Sequence, residues 1–381
     1  MDKNASRRPR VMFFSYRFHT NEKGLVQALV EAGAEVRYLV NTSKYSEDHD
    51  VVVPEVLGFA RSLIPLDTDS AELKWGLFPL SAYRTLLVSR PDVVVIKGFR
   101  FAALLLSLFA RLIRVPLVAH VQRPLYAKPE RLLKRLWYRC FGRDVITPIE
   151  RVTRPGEVAG PQVRDRNTFM LGQRWRYLPF VVESNPEAVA REYRRGGRTN
   201  FLIVGKYVSR KMIPETIRAL KSVADGHPVS VTVVGSFLDD SVYQEVQALA
   251  AESDAMEIRV SGPVPHHEMT QLYLDHDVLL MTSVGEPASC SQLEAMAQGV
   301  MPVCSSDNGT ASYIRVGVTG YVFDAGDFDA NLRDVLARIL KDPAQVEKMG
   351  RVAAERVGQD FSADPHVRYF FERAGTRGKT S

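Results

Sequence analysis

The run Val278-Leu279-Leu280-Met281, then Gly285-Glu286-Pro287-Ala288-Ser289-Cys290-Ser291-Gln292-Leu293-Glu294-Ala295-Met296-Ala297-Gln298-Gly299, decides how this chain is read. The apolar run has the length of a buried strand. Small polar residues then open a helical stretch, and Gly299 stops it, as a glycine just past a helix end usually does. Glu286 falls in the turn, and Glu294 falls about two turns into the helix. A loop carboxylate, a helix N-terminus and a second carboxylate can together hold a sugar nucleotide. Backbone N–H groups around Ser289, Cys290 and Ser291 suit a phosphate, and each carboxylate can accept bonds from a pair of neighbouring hydroxyls. The plainer alternative, a surface helix with two solvated glutamates, fits the strand–turn–helix–glycine–strand order poorly.

The same alternation of apolar runs and helical patterns extends in both directions, the mark of an α/β protein with parallel sheets. Strands are expected at 11–15, 36–40, 93–96, 117–120 and 145–147, and again at 201–204, 230–234, 258–261, 278–281 and 300–304. The helix after the first strand carries Leu25, Leu29 and Ala32 on one face and stops at Gly33. Between Val181 and Thr199 the chain has Asn185-Pro186 and Gly196-Gly197 and little strand signal, which places a domain boundary there. Two domains follow, 1–183 and 184–381, with the C-terminal helix able to pack back on the first.

A chain of 381 residues is long for one core and comfortable for two. Its 45% hydrophobic and 25% charged residues are those of an ordinary water-soluble globular protein. Cys140, Cys290 and Cys304 are scattered, so neither a disulfide framework nor a zinc site is indicated, and a reduced, cytoplasmic setting is expected. The basic, polar start has no apolar core of a signal peptide. The stretch 101–110 is too short for a membrane span and reads as a buried helix. Residues 1–183 carry 29 Lys+Arg against 18 Asp+Glu, or +11, leaving 21 against 26, or −5, for the rest. An anionic partner for the first half is expected from that asymmetry. No phosphate-binding Walker loop or dinucleotide glycine motif is present, which argues against ATP and NAD enzymes. Nucleic acid is not among the expected partners.

Gly205-Lys206-Tyr207-Val208-Ser209-Arg210-Lys211 follows the first strand of the second half. A glycine there lets backbone approach a ligand, and Lys206 and Lys211 can converge on one diphosphate. Taken alone, the segment reads equally as a basic surface turn. His120 ends an apolar strand, where it can bond a sugar hydroxyl or a departing phosphate, or serve only the core. Ser305-Ser306-Asp307-Asn308-Gly309-Thr310 follows the strand after the glutamate helix. Asp67-Thr68-Asp69 imitates a metal-binding Asp-x-Asp, but with no strand before it a solvated loop is the expectation, and no metal site is assigned. His266-His267 lacks a third ligand and reads as surface.

The segments 205–211 and 285–299 closely resemble the signature of retaining glycosyltransferases of family 4, which have the GT-B fold. That family has a Gly-Arg/Lys turn followed by a second Lys, paired glutamates, and a histidine at the end of the strand matching 117–120. The resemblance implies two Rossmann-like domains whose parallel sheets face a central cleft. It implies metal-independent transfer from a UDP- or GDP-sugar to a glycan or lipid-linked glycan, as in polysaccharide or lipopolysaccharide assembly, with no separate cofactor. Glu286 then holds donor sugar hydroxyls, Glu294 holds the ribose, and Gly205, Lys206 and Lys211 meet the diphosphate. His120 bonds the donor, and backbone N–H groups of Asn308, Gly309 and Thr310 reach it. The family's paired glycines in the first βα turn are missing from Ser15-Tyr16-Arg17-Phe18-His19-Thr20-Asn21-Glu22-Lys23-Gly24. That departure keeps open a degenerate GT-B protein that binds without transfer; a nucleotide-sugar epimerase has no supporting residues. Residues 129–141 read as a helix with Leu132, Leu133, Leu136 and Trp137 on one face and Arg131, Lys134, Arg135 and Arg139 as a basic rim. Such a helix either packs on the first sheet or lies on an anionic membrane surface, at the cytoplasmic face.

Overall fold

The structure is a computed structural model, and it describes residues 8–41, 51–57, 80–97, 101–122, 145–150, 176–252 and 256–375. Asp67, Asp69 and the basic helix expected at 129–141 lie outside the described residues. Thirteen strands run through the described chain: β1 Arg10–Ser15, β2 Glu35–Val40, β3 Glu55–Val56, β4 Val93–Lys97, β5 Leu117–His120, β6 Val145–Thr147, β7 Arg176–Tyr177, β8 Thr199–Val204, β9 Val229–Val234, β10 Glu257–Ser261, β11 Val278–Met281, β12 Met301–Ser305 and β13 Tyr321–Phe323. Every pairing between them is parallel.

Two sheets result, ordered β3-β2-β1-β4-β5-β6-β7 and β10-β9-β8-β11-β12-β13. Each runs outward in both directions from its first strand, so the order reverses between β1 and β4 in one sheet and between β8 and β11 in the other. In open α/β sheets a ligand sits beyond the carboxyl ends of the strands at such a reversal. The sequence follows from this burial. A parallel strand covered on both faces must be apolar throughout, and Val93, Val94, Val95 and Ile96 are all buried.

The chain forms two compact units, which among the described residues take in 8–122, 145–181 and 363–375, and 182–362. The first core gathers Val11, Phe13, Leu25, Leu29, Val93, Val95 and Val118 with Tyr369 and Phe370 of the C-terminal helix Asp364–Gly375. The second gathers Phe201, Ile203, Val231, Val233, Leu280 and Val303 beneath the helices Ile213–Val223 and Phe328–Lys341. Truncating one of the leucines, isoleucines or phenylalanines among these to alanine removes ~2–5 kcal/mol.

Several expectations are corrected. The stretch 101–110 is a helix, Phe101–Leu112, but it is not buried all round: Leu106 and Ala110 face inward while Leu108 and Leu112 are exposed. The strand expected at 300–304 begins one residue later. The N–H of Val300 instead bonds the carbonyl of Ala295 at 3.0 Å while that of Gly299, at φ +75°, bonds Met296, which closes the preceding helix. The helix itself starts at Cys290, so Glu294 lies one turn in rather than two. Gly285, at φ +66°, and Pro287 keep the approach out of the helix.

Candidate active site

The loops after β8 and β11, the two strands at the second sheet's reversal, are fastened to each other. The N–H of Val284 donates to the carbonyl of Arg210 at 2.8 Å, and the Thr282 hydroxyl, itself bonded by Thr216 at 2.7 Å, reaches towards the carbonyl of Lys211. The β8 loop turns through a short 3-10 segment, Ser209–Lys211, and then Met212 in the left-handed region at φ +54°. A side chain in that conformation costs ~1–3 kcal/mol and persists only where surroundings enforce it. The result folds Lys211 back over Gly205: a Cβ at 205 would meet Lys211 Cδ and Cε at 3.2 Å. A second glycine, Gly235 after β9, lets Gly205 in; a Cβ there would stand 1.6 Å from the Gly205 oxygen.

This brings two cations onto one carboxylate. Lys211 Nζ and Arg210 Nη1 each donate to Glu286 Oε2 at 2.6 Å. Burial alone would raise the Glu286 pKa, but the charge and hydrogen bond of Lys211 and those of Arg210 outweigh it and hold the group below its usual value. Among the described residues Oε1 has no hydrogen-bond partner, so half the carboxylate can accept hydroxyls. Lys206, expected to converge with Lys211, is instead exposed and has no side-chain partner among the described residues. Arg210, which the sequence reading passed over as part of a basic turn, takes the place beside Lys211.

Ser289 caps the helix Cys290–Ala297 through its backbone only, its side chain making no cap bond. Cys290, Ser291 and Glu294 are half-buried on that helix, with Cys290 outside any disulfide. Glu294 Oε2 accepts from the hydroxyl of Tyr273 at 3.0 Å. Burial, then the neighbouring Glu294 charge, raises the Tyr273 pKa well above normal, so the phenol stays a donor. Arg191 fixes the frame: its guanidinium donates to the carbonyls of His276 at 2.5 Å, Leu274 at 3.0 Å and Gln298 at 3.2 Å. The ends of two helices are thereby satisfied.

The loop after β12 departs from expectation. The backbone N–H groups of Asn308, Gly309 and Thr310 are all committed internally, to Ser305 O at 3.1 Å, Glu286 O at 3.0 Å and Asn308 Oδ1 at 3.0 Å. They brace the Glu286 turn from behind rather than pointing to a ligand. Thr310 Oγ1 is shared between Asn308 and Gln292. Within 305–310, Asn308 Nδ2 is a buried donor with no partner among the described residues.

In the first unit, His120 gathers a network that sequence reasoning missed. Lys97 and His120 end β4 and β5 and are register partners, so one carboxylate can meet both. That carboxylate is Glu22, fully buried at the N-terminus of the helix Lys23–Glu31. His120 Nδ1 lies 3.0 Å from Glu22 Oε1, and Lys97 Nζ lies 3.3 Å from Oε2, which also accepts from the Tyr38 hydroxyl. Burial raises the Glu22 pKa, but Lys97 first, then the bonds and charge of His120 and the Tyr38 bond, bring it to about 2. Lys97 also donates to Asn21 at 2.6 Å, and Asn21 to Gln122 at 3.0 Å, which pins the first βα turn to the ends of β4 and β5. Gly24 is not a ligand glycine: a Cβ there would stand 2.1 Å from the carbonyl oxygen of Val181. The signal in the sequence was a lysine closing an all-valine and isoleucine strand, a placement that needs a counterion.

Among the described residues there is no cluster of His, Cys, Asp or Glu that could hold a metal, and no helix is long and apolar enough to cross a membrane. His267 is exposed beside Glu268.

Two family models match, described as glycosyl transferases group 1 over residues 185–356 and as a glycosyl transferase 4-like domain over residues 23–179. Among curated proteins the chain is 27% identical over 170 residues to a glycogen synthase of Mycobacterium tuberculosis, covering 44% of this chain and 40% of that one. It is 25% identical over 190 residues to a capsular polysaccharide biosynthesis glycosyltransferase of Staphylococcus aureus, covering 48% of each. The chain thus matches less than half the length of either relative. Among solved structures, Anabaena HepE in complex with UDP-glucose superposes with a TM-score of 0.68 at 16% identity, over 96% of this chain and 99% of that one, a likeness of fold.

Proposed function

Because this chain belongs to the GT-B glycosyltransferases of the family 4 type, we propose that it transfers a sugar from a nucleoside-diphosphate sugar to a hydroxyl of a glycan or lipid-linked glycan, retaining the donor's anomeric configuration. The observation that carries this reading is the convergence of Lys211 and Arg210 on Glu286 at a sheet reversal. A cluster with two cations and one anion keeps a net positive charge for a diphosphate. When the donor enters, Lys211 and Arg210 turn to the diphosphate and stabilise the charge that grows as it leaves. Glu286 Oε1 takes sugar hydroxyls, and Glu294 takes the two ribose hydroxyls while Tyr273 holds its other oxygen. Lys206, exposed at the mouth of the same turn, draws the anion in. His120 bonds a substrate hydroxyl.

The test is transfer itself. UDP- and GDP-sugars are offered with glycan acceptors, and the anomeric configuration of the product is read by NMR. Product with the donor's configuration is expected; inverted product contradicts the retaining mechanism, and no transfer from any donor contradicts the enzyme.

A second reading, binding without transfer, is favoured by one observation. The first βα turn is filled by Phe18, buried against Tyr38 with ring centroids 4.9 Å apart, and Gly24 is spent on packing. Nucleotide-sugar affinity without product would support it.

The acceptor is proposed to lie at an anionic membrane surface. Exposed Leu105, Leu108 and Leu112 beside Arg111 support that site. Salt-sensitive sedimentation with anionic liposomes is expected, and none would contradict it.

A further inference from the structure

We propose that Glu22 is a positioning residue that fixes His120 as its Nδ1–H tautomer, so that Nε2 is left as a hydrogen-bond acceptor for a substrate hydroxyl. The inference rests on the reading of His120 as a substrate-bonding residue given above. It is carried by the geometry of the first unit alone.

An ionised carboxylate has no proton to give. Glu22 Oε1 lies 3.0 Å from His120 Nδ1, so the hydrogen between them must belong to the ring. Glu22 is kept ionised by its surroundings: Lys97 Nζ and the Tyr38 hydroxyl both donate to Oε2. It also sits at the positive end of the helix Lys23–Glu31, which favours an anion. With Nδ1 as donor, a neutral imidazole has Nε2 as acceptor. Among the described residues Nε2 has no protein partner, and the His120 side chain keeps 7% of its surface exposed. The other titratable neighbour, His366, is kept neutral by its burial. It does not compete for Glu22.

The arrangement makes a specific demand on substitution. In Glu22→Gln the two donors at the Oε2 side, Lys97 and Tyr38, pin the amide oxygen to themselves. The amide NH2 then faces His120 Nδ1 and requires it to accept. The tautomer is reversed, and Nε2 becomes a donor without any change of shape.

The experiment uses the full chain labelled with 15N-histidine, above the titration range of the imidazole, with the His120 signals identified by their loss in His120→Gln. In the wild type, Nδ1 is expected to carry the proton and Nε2 to be bare; in Glu22→Gln the two exchange. Turnover in Glu22→Gln is expected to fall by roughly 10²-fold or more with KM for the donor little changed, the size of a lost proton-handling contact. Lys97→Met added to Glu22→Gln removes the buried cation that the first change leaves alone, and should show the same exchanged tautomer if the single variant folds poorly. A wild-type His120 protonated on Nε2, or an unchanged tautomer in both variants, overturns the proposal. So does an exchanged tautomer with undiminished turnover. Correct tautomers in a wild type that moves no sugar from any donor overturn the transfer reading and leave the Glu22–His120 assignment standing.

Discussion

Lys211 Nζ and Glu286 Oε2 stand 2.6 Å apart with their side chains only 12% and 10% exposed, while Arg210, 46% exposed, reaches the same oxygen from outside. The two cations are therefore not equivalent. Lys211 is the buried partner of Glu286, and Arg210 is the partner that stands half in solvent.

Loss of either buried partner should differ in its effect on stability. Lys211→Met leaves Glu286 paired with Arg210. Glu286→Gln leaves Lys211 and Arg210 facing each other across a neutral amide. Breaking a buried pair costs up to ~3–5 kcal/mol when one charge is stranded, so Glu286→Gln should lower the melting temperature clearly more than Lys211→Met. Both should reduce transfer by about 10²–10³. Equal melting temperatures, or near-normal turnover in either, would contradict the paired role.

Glu294 and Tyr273 separate a ligand role from a packing role. Glu294→Ala should weaken affinity for the free nucleoside diphosphate and also destabilise the fold, since it leaves the buried Tyr273 hydroxyl unpaired at ~1–3 kcal/mol. Tyr273→Phe removes the hydroxyl together with its need for a partner, and should leave nucleotide affinity nearly intact. Calorimetry on both variants decides it. A larger loss of affinity in Tyr273→Phe than in Glu294→Ala would reverse the assignment.

Acid should destabilise the first unit through His366. Burial first, and then the charge of His120, push its pKa down to about 3 from 6.5, against a small opposing pull from the Pro179 carbonyl. The unfolded chain thus takes up a proton before the folded one. Stability is fully present above pH 6.5 and falls by ~1.4 kcal/mol per pH unit below it, until the folded histidine itself titrates. Glu22, depressed from 4.5 to about 2, acts in the same direction at lower pH. His366→Gln cannot gain the proton, so its urea midpoint should vary less between about pH 6.5 and about pH 5 than that of the wild type. An unchanged pH slope would remove His366 from this role.

Both sheets could be read from the sequence because parallel strands buried on two faces are written as unbroken apolar runs, as in Val93–Ile96 and Val278–Met281. The edge strands Glu55–Val56 and Arg176–Tyr177 bury too little to leave that pattern, and Tyr321–Phe323 is buried at both ends but short. Glu286, Glu294, Lys211 and Gly205 were legible because local spacing carries them, a turn and a helix within one segment. Arg210 was not singled out, since nothing local tells which cation of Ser209-Arg210-Lys211 turns inward; the left-handed Met212 decides that. Glu22 was hidden for a different reason. Its partners Tyr38, Lys97 and His120 are 16, 75 and 98 residues away along the chain (38 − 22, 97 − 22 and 120 − 22), and only the strand order brings them together. The internal bonds of the Asn308 to Thr310 backbone, which the resemblance assigns to the donor, were not legible either, because whether an N–H is spent internally depends on the turn it closes.

The most direct test of the donor site is calorimetric titration of UDP and GDP into the wild type and Lys211→Met, with EDTA present throughout. The expected result is metal-independent binding of one nucleoside diphosphate to the wild type and a loss of at least about tenfold in affinity, ~1.4 kcal/mol, in the variant. Binding that requires a divalent cation, or equal affinity in both proteins, would contradict a diphosphate site built on Lys211 and Glu286.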